Sequence, residues 1–177
     1  MKRLKLLRRG GGEAGFTLIE LMIVMVILTA ILTALTMLFV SGVRSELDSN
    51  RRYQAQHEAR TALERLRREG HCASAITATS GVPTSTITIT LPTACPGSAT
   101  SVVYTASTSA SGGYKLERAG VLVADHLTQS NVFTYFAPSA ASLGRLHVDF
   151  TVDVHPSGGS TSWHLVDDIV LRNTVRA

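Results

Sequence analysis

The chain has 177 residues, 45% of them hydrophobic and 17% charged, enough for one modest domain beside an anchoring segment. Its net charge of +4 belongs to the first 15 residues, where Lys2, Arg3, Lys5, Arg8 and Arg9 face one acid, Glu13; the remainder holds 12 basic (17 − 5) and 12 acidic (13 − 1) side chains. A neutral body argues against a nucleic-acid partner, which needs a basic patch.

In chain order, a short basic leader (1–15) ends in the small-residue stretch "GGGEAG". The next segment, 16–40, is apolar but for one charge, Glu20, and at 1.5 Å per residue it is long enough to cross a bilayer as a helix. In a secretory signal the small residues follow a shorter apolar core. Here they precede it, so a cut at that point would remove the leader and leave the helix on the mature chain. Basic residues ahead of the span, against the mixed charges of "RSELDSNRR" after it, predict a cytoplasmic N-terminus and an exported remainder. A carboxylate at the depth of Glu20 is costly in hydrocarbon and marks function.

The stretch Gly15-Phe16-Thr17-Leu18-Ile19-Glu20, with its basic leader and apolar helix, resembles the processing site of type IV prepilins and of the pseudopilins of type II secretion systems. The resemblance implies cleavage between Gly15 and Phe16 by a membrane-embedded prepilin peptidase that also methylates the new N-terminal Phe16. It implies that Glu20 pairs with the α-amino group of an adjacent subunit and sets axial register, since a buried charge is tolerable only when paired. The implied partners are other pilin or pseudopilin subunits, a membrane platform protein and, through it, a cytoplasmic ATPase. The subunit is expected in the cytoplasmic membrane before assembly and in a surface or periplasmic filament afterwards.

Segment 41–70 continues the helix with amphipathic character. Ala59, Ala62, Leu63 and Leu66 form one stripe, while Arg60, Glu64, Arg67 and Arg68 share the other side, with Arg60–Glu64 and Glu64–Arg68 as i,i+4 pairs. Gly70 suits a position just past the helix end. Segment 71–177 reads as a β-rich exported domain. Alternation places Ile87, Ile89 and Leu91 on one face of 85–91, and Leu146, Val148, Phe150, Val152 and Val154 on one face of 144–154. Further strands are expected at 101–106, 114–118, 121–125, 132–136, 162–166 and 168–173, with turns at Gly112-Gly113 and Gly158-Gly159. The expected class is α+β: a long N-terminal helix, transmembrane in its first half and amphipathic in its second, packed on an antiparallel sheet. This agrees with the pilin fold that the resemblance implies.

Cys72 and Cys95 match no zinc or redox spacing. In an exported domain they read as a disulfide, and otherwise as two buried thiols. The six histidines show no ligand spacing, and Asp167-Asp168 falls short of a calcium set. No nucleophile elbow or phosphate-binding loop occurs, so no enzyme, cofactor or metal site is expected. Arg44, Arg51 and Arg52 are interleaved with acids and read as a solvated face rather than as a contact for DNA phosphates. "QAQHEARTALERLRREG" and the later strand order resemble minor pseudopilins of the J type and tip minor pilins. The function expected is therefore a structural, minor subunit of a type IV pilus or pseudopilus. The alternative is a tip or adaptor module of a DNA-uptake (competence) or protein-secretion filament.

Overall fold

The computed structural model describes residues 15–93, 95, 100–154 and 162–173; leader residues 1–14, His155 and the Gly158-Gly159 turn lie outside the described residues. Helix α1 runs from Leu18 to Cys72 without interruption. The chain divides between Glu46 and Leu47 into two compact units.

In the first unit every described residue is exposed, including Leu18, Ile19, Leu21 and the Val, Ile, Leu and Met side chains that follow. Among the described residues α1 is the one helix long and apolar enough to cross a membrane by length and composition. A contiguous apolar surface of this extent needs a cover of lipid or of other helices.

In the second unit α1 buries Ala55, Ala59, Ala62, Leu63, Leu66 and Gly70. The 3.6-residue period sets these positions on one side, and the small residues among them let a sheet approach closely. Its strands are β1 (Ala75–Thr77), β2 (Pro83–Thr84), β3 (Thr86–Thr90), β4 (Ser101–Thr108), β5 (Tyr114–Arg118), β6 (Val121–Leu127), β7 (Phe133–Phe136), β8 (Arg145–Val152) and β9 (Trp163–Val170). All pairings are antiparallel, in the order β1-β3-β4-β5-β6-β8-β7-β2, with β9 on β8. Strands β7 and β6 take successive stretches of one side of β8, at Phe136↔Arg145 to Phe133↔Val148 and then at Leu127↔Val152. Strand β9 pairs with β8 from Arg145↔Val170 to Val152↔Trp163.

The alternating residues face as the pattern requires. Ile87, Ile89, Leu91, Leu146, Val148, Phe150 and Val152 are all buried, and Val154 packs partly against them. Phe133 meets both Tyr104 and Phe150 edge to face, with centroids 6.5 and 6.3 Å apart.

Three expectations change. The strands expected at 162–166 and 168–173 are one strand, because Asp167 and Asp168 do not interrupt it: Asp167 takes Arg67 at 2.8 Å, while Asp168 takes Arg145 and His147. Gly70 is not a stop signal. It lies inside α1, where a Cβ would come within 2.8 Å of Ile169 Cγ2, so close packing is what requires glycine there. Neither expected pair along α1 forms among the described residues: Arg60 lies over the Trp163 ring at 5.0 Å, and the i,i+4 ion pairs of α1 are Arg52–Asp48 at 3.0 Å and Arg65–Glu69 at 3.7 Å. Strands β1 and β2 were not expected, since two or three residues carry no readable period.

Candidate functional site

Gly15, Phe16 and Thr17 lie in non-helical backbone directly before α1. No heavy atom beyond the chain neighbours lies within 4 Å of the place where Gly15 would carry a Cβ, and the Phe16 side chain is 81% exposed. The Gly15–Phe16 bond is thus in an open stretch ahead of an ordered helix, the setting a peptidase cleft requires.

Thr17 and Glu20 form a capping box. The Glu20 amide donates to Thr17 Oγ1 at 3.3 Å, while the Thr17 amide and hydroxyl donate to Glu20 Oε2 at 3.2 and 3.1 Å. Two amides that α1 cannot satisfy internally are satisfied, and the carboxylate sits where the helix dipole favours negative charge. Both bonds to the carboxylate fall on Oε2, so Oε1 keeps its lone pairs for another donor. The capping role of Thr17 was missed from sequence, although the Thr-x-x-Glu pattern of "TLIE" signals it.

Within the apolar stretch, Thr29, Thr33 and Thr36 donate their hydroxyls to the carbonyls of Val26, Thr29 and Leu32, each at 2.8 Å. A hydroxyl satisfied by its own helix has no need of water and is compatible with a hydrocarbon surrounding.

In the second unit, Cys72 at the end of α1 is bonded to Cys95, with Cα atoms 6.0 Å apart. One turn earlier, Glu69 joins helix to sheet. Tyr104 Oη donates to its Oε2 at 2.8 Å, and Arg118 Nε and Nη2 donate to its Oε1 at 2.9 and 2.7 Å. Burial, and then the neighbouring carboxylate, push the Tyr104 hydroxyl well above its usual range, so it stays a neutral donor. The hydrogen bond to Glu69 likewise raises the Arg118 guanidinium.

The histidines are spread out. His147 meets Asp168 at 2.9 Å, His164 meets Thr151 at 3.0 Å, His71 meets the Val170 carbonyl at 2.9 Å, and His57 stacks on Tyr53. Among the described residues no group of three or more His, Cys, Asp or Glu is placed to hold a metal ion.

In the second unit an antiparallel sheet packs on the amphipathic part of α1, and the first unit holds the apolar stretch of the same helix with its capped N-terminus, an α+β, pilin-like arrangement. Residues 11–36 match the family model described as the prokaryotic N-terminal methylation motif, so the chain carries a type IV prepilin-like signature. That motif indicates a structural subunit of pilin or pseudopilin kind, membrane-anchored by a single helix, processed by a peptidase and assembled with other pilin subunits. No curated protein and no solved structure matches the chain.

Proposed function

We propose that the chain is a minor subunit of a type IV pilus or secretion pseudopilus, cut between Gly15 and Phe16 and methylated on Phe16. The observation that carries this reading is the coincidence of the methylation motif at 11–36 with an exposed Gly15–Phe16 bond and a wholly exposed apolar helix behind it. The leader stays in the cytoplasm and the second unit is exported, in keeping with the basic residues ahead of the span. Glu20 offers the Oε1 that its capping box leaves over to the new amine of a neighbouring subunit, so one carboxylate both caps its own helix and selects the register of the next. An assembly platform and its ATPase supply the work. The minor assignment follows from the likeness of residues 54–70 and the strand order to J-type pseudopilins, and retention of Glu20 favours a place below the extreme tip. Export makes the Cys72–Cys95 bond a lasting one.

Intact mass and N-terminal sequencing of protein recovered from membranes, with the native peptidase present, test the proposal. The expected product begins at Phe16, carries one added methyl group, and is lost in Gly15→Leu. A wild-type chain that keeps residues 1–15 means a plain anchor and overturns the reading.

A further inference from the structure

A cavity of about 460 Å³ opens in the second unit beside the end of α1. Among the described residues its lining includes three arginines, Arg65, Arg68 and Arg118, and one acid, Glu69. That carboxylate is already committed: Tyr104 holds one oxygen, and Arg118 holds the other through two N–H groups. Arg65 Nε makes an i,i+4 ion pair with the same oxygen at 3.7 Å, beyond hydrogen-bond length, and Arg68 has no polar partner among the described residues. Arg65 and Arg68, each with five guanidinium donors, therefore line the cavity with no hydrogen bond to another described side chain. Leu91 and the Cys72–Cys95 disulfide supply an apolar wall beside them.

We infer that this cavity receives a carboxylate from an acidic segment of a partner protein, bound by Arg65 and Arg68. The planar fork of arginine matches a carboxylate in two-pronged geometry. The apolar wall suits the methylene stem of a glutamate, which a free inorganic anion lacks. The concave form separates the site from a flat basic face of the kind that takes nucleic acid or lipid headgroups. Arg118 is the positioning residue: its bonds to Glu69 neutralise the one acid that would otherwise repel the ligand. The inference does not depend on the chain being assembled in a filament.

The probe is an acetylated, amidated hexaglutamate peptide carrying a benzophenone, photo-crosslinked to the full chain in detergent and mapped by mass spectrometry. The expected crosslinks fall on the cavity, near Leu91 or between Arg65 and Cys72. In the Arg65→Gln/Arg68→Gln double variant the cavity crosslinks weaken roughly tenfold, as expected for two partly exposed charge pairs. The equally discharged Arg51→Gln/Arg172→Gln variant leaves them unchanged. Crosslinks found only elsewhere overturn the inference, as does equal loss in both variants. Displacement by inorganic phosphate as readily as by glutarate overturns it too, since the cavity would then be a general anion site. Near-ultraviolet circular dichroism of each variant shows that the fold is kept, so loss of crosslinking reports the site.

Discussion

Gly70→Ala sets two known effects against each other. In an unhindered helix interior the change stabilises by about 1 kcal/mol, because glycine has the larger conformational freedom to lose. Here the new Cβ would lie 2.8 Å from Ile169 Cγ2, against ~3.5–4.0 Å for carbon atoms in favourable contact. Ile169 is 1% exposed, is β-branched and stiff, sits in register opposite Leu146, and has the fully buried Leu171 beside it. It cannot swing away, so overpacking costs roughly 1–3 kcal/mol and outweighs the helix gain, for a net loss of about 1 kcal/mol. Ile169→Ala alone leaves a cavity and costs roughly 2–5 kcal/mol. In that background the offending methyl is gone, and the remaining Ile169 Cβ position, 3.8 Å away, is an ordinary contact. Gly70→Ala should then stabilise by about 1 kcal/mol, a reversal of sign and a coupling of ~2 kcal/mol between neighbours. Urea unfolding of the four proteins in detergent, followed by the fluorescence of Trp163, the single tryptophan, reads out this unit. Additive effects, or a stabilised single Gly70→Ala, would refute the packing role assigned to Gly70.

Three further outcomes follow from the second unit. Reducing the Cys72–Cys95 bond, which spans 23 positions, should cost about 3 kcal/mol in the chain-entropy model; an unchanged thermal melt in reductant contradicts this. Tyr104→Phe removes a buried donor from the charged Glu69 and should destabilise by ~1.5–3 kcal/mol, while Tyr135→Phe, whose hydroxyl has no recorded hydrogen bond among the described residues, should cost less in the same denaturant series. Burial alone would raise the pKa of Asp125, but hydrogen bonds from the Ser109 and Ser111 hydroxyls and the His126 amide hold it below the usual carboxylate range. Its contribution is therefore complete above the unfolded value of about 3.9 and is lost as pH falls through the lower folded value. Asp125→Asn should flatten the acid limb of a stability–pH profile there, and an unchanged limb would sink the assignment.

The N-terminal features could be read without a fold because each rests on neighbours in sequence. An apolar run of fixed length, a leader charge, and the Gly15-Phe16 to Glu20 spacing are all local, and the Thr17–Glu20 cap was present in the same four letters. Alternation in 85–91 and 144–154 likewise gave the buried faces of β3 and β8, since a strand's side chains take opposite faces in turn. What sequence could not decide is whatever depends on residues brought together across long separations. Gly70 is indistinguishable from a helix stop until Ile169 lies against it. Asp167-Asp168 looks like a break or a calcium pair until Arg67, Arg145 and His147 arrive from other elements. The Arg65–Arg68–Arg118 cavity likewise exists only once β5 lies beside α1, because Arg118 must reach Glu69 from 49 positions away before Arg65 is left with only a 3.7 Å share of that carboxylate. Period and motif record the chain's local chemistry, while pairing of charge and closeness of packing are properties of the folded contact alone.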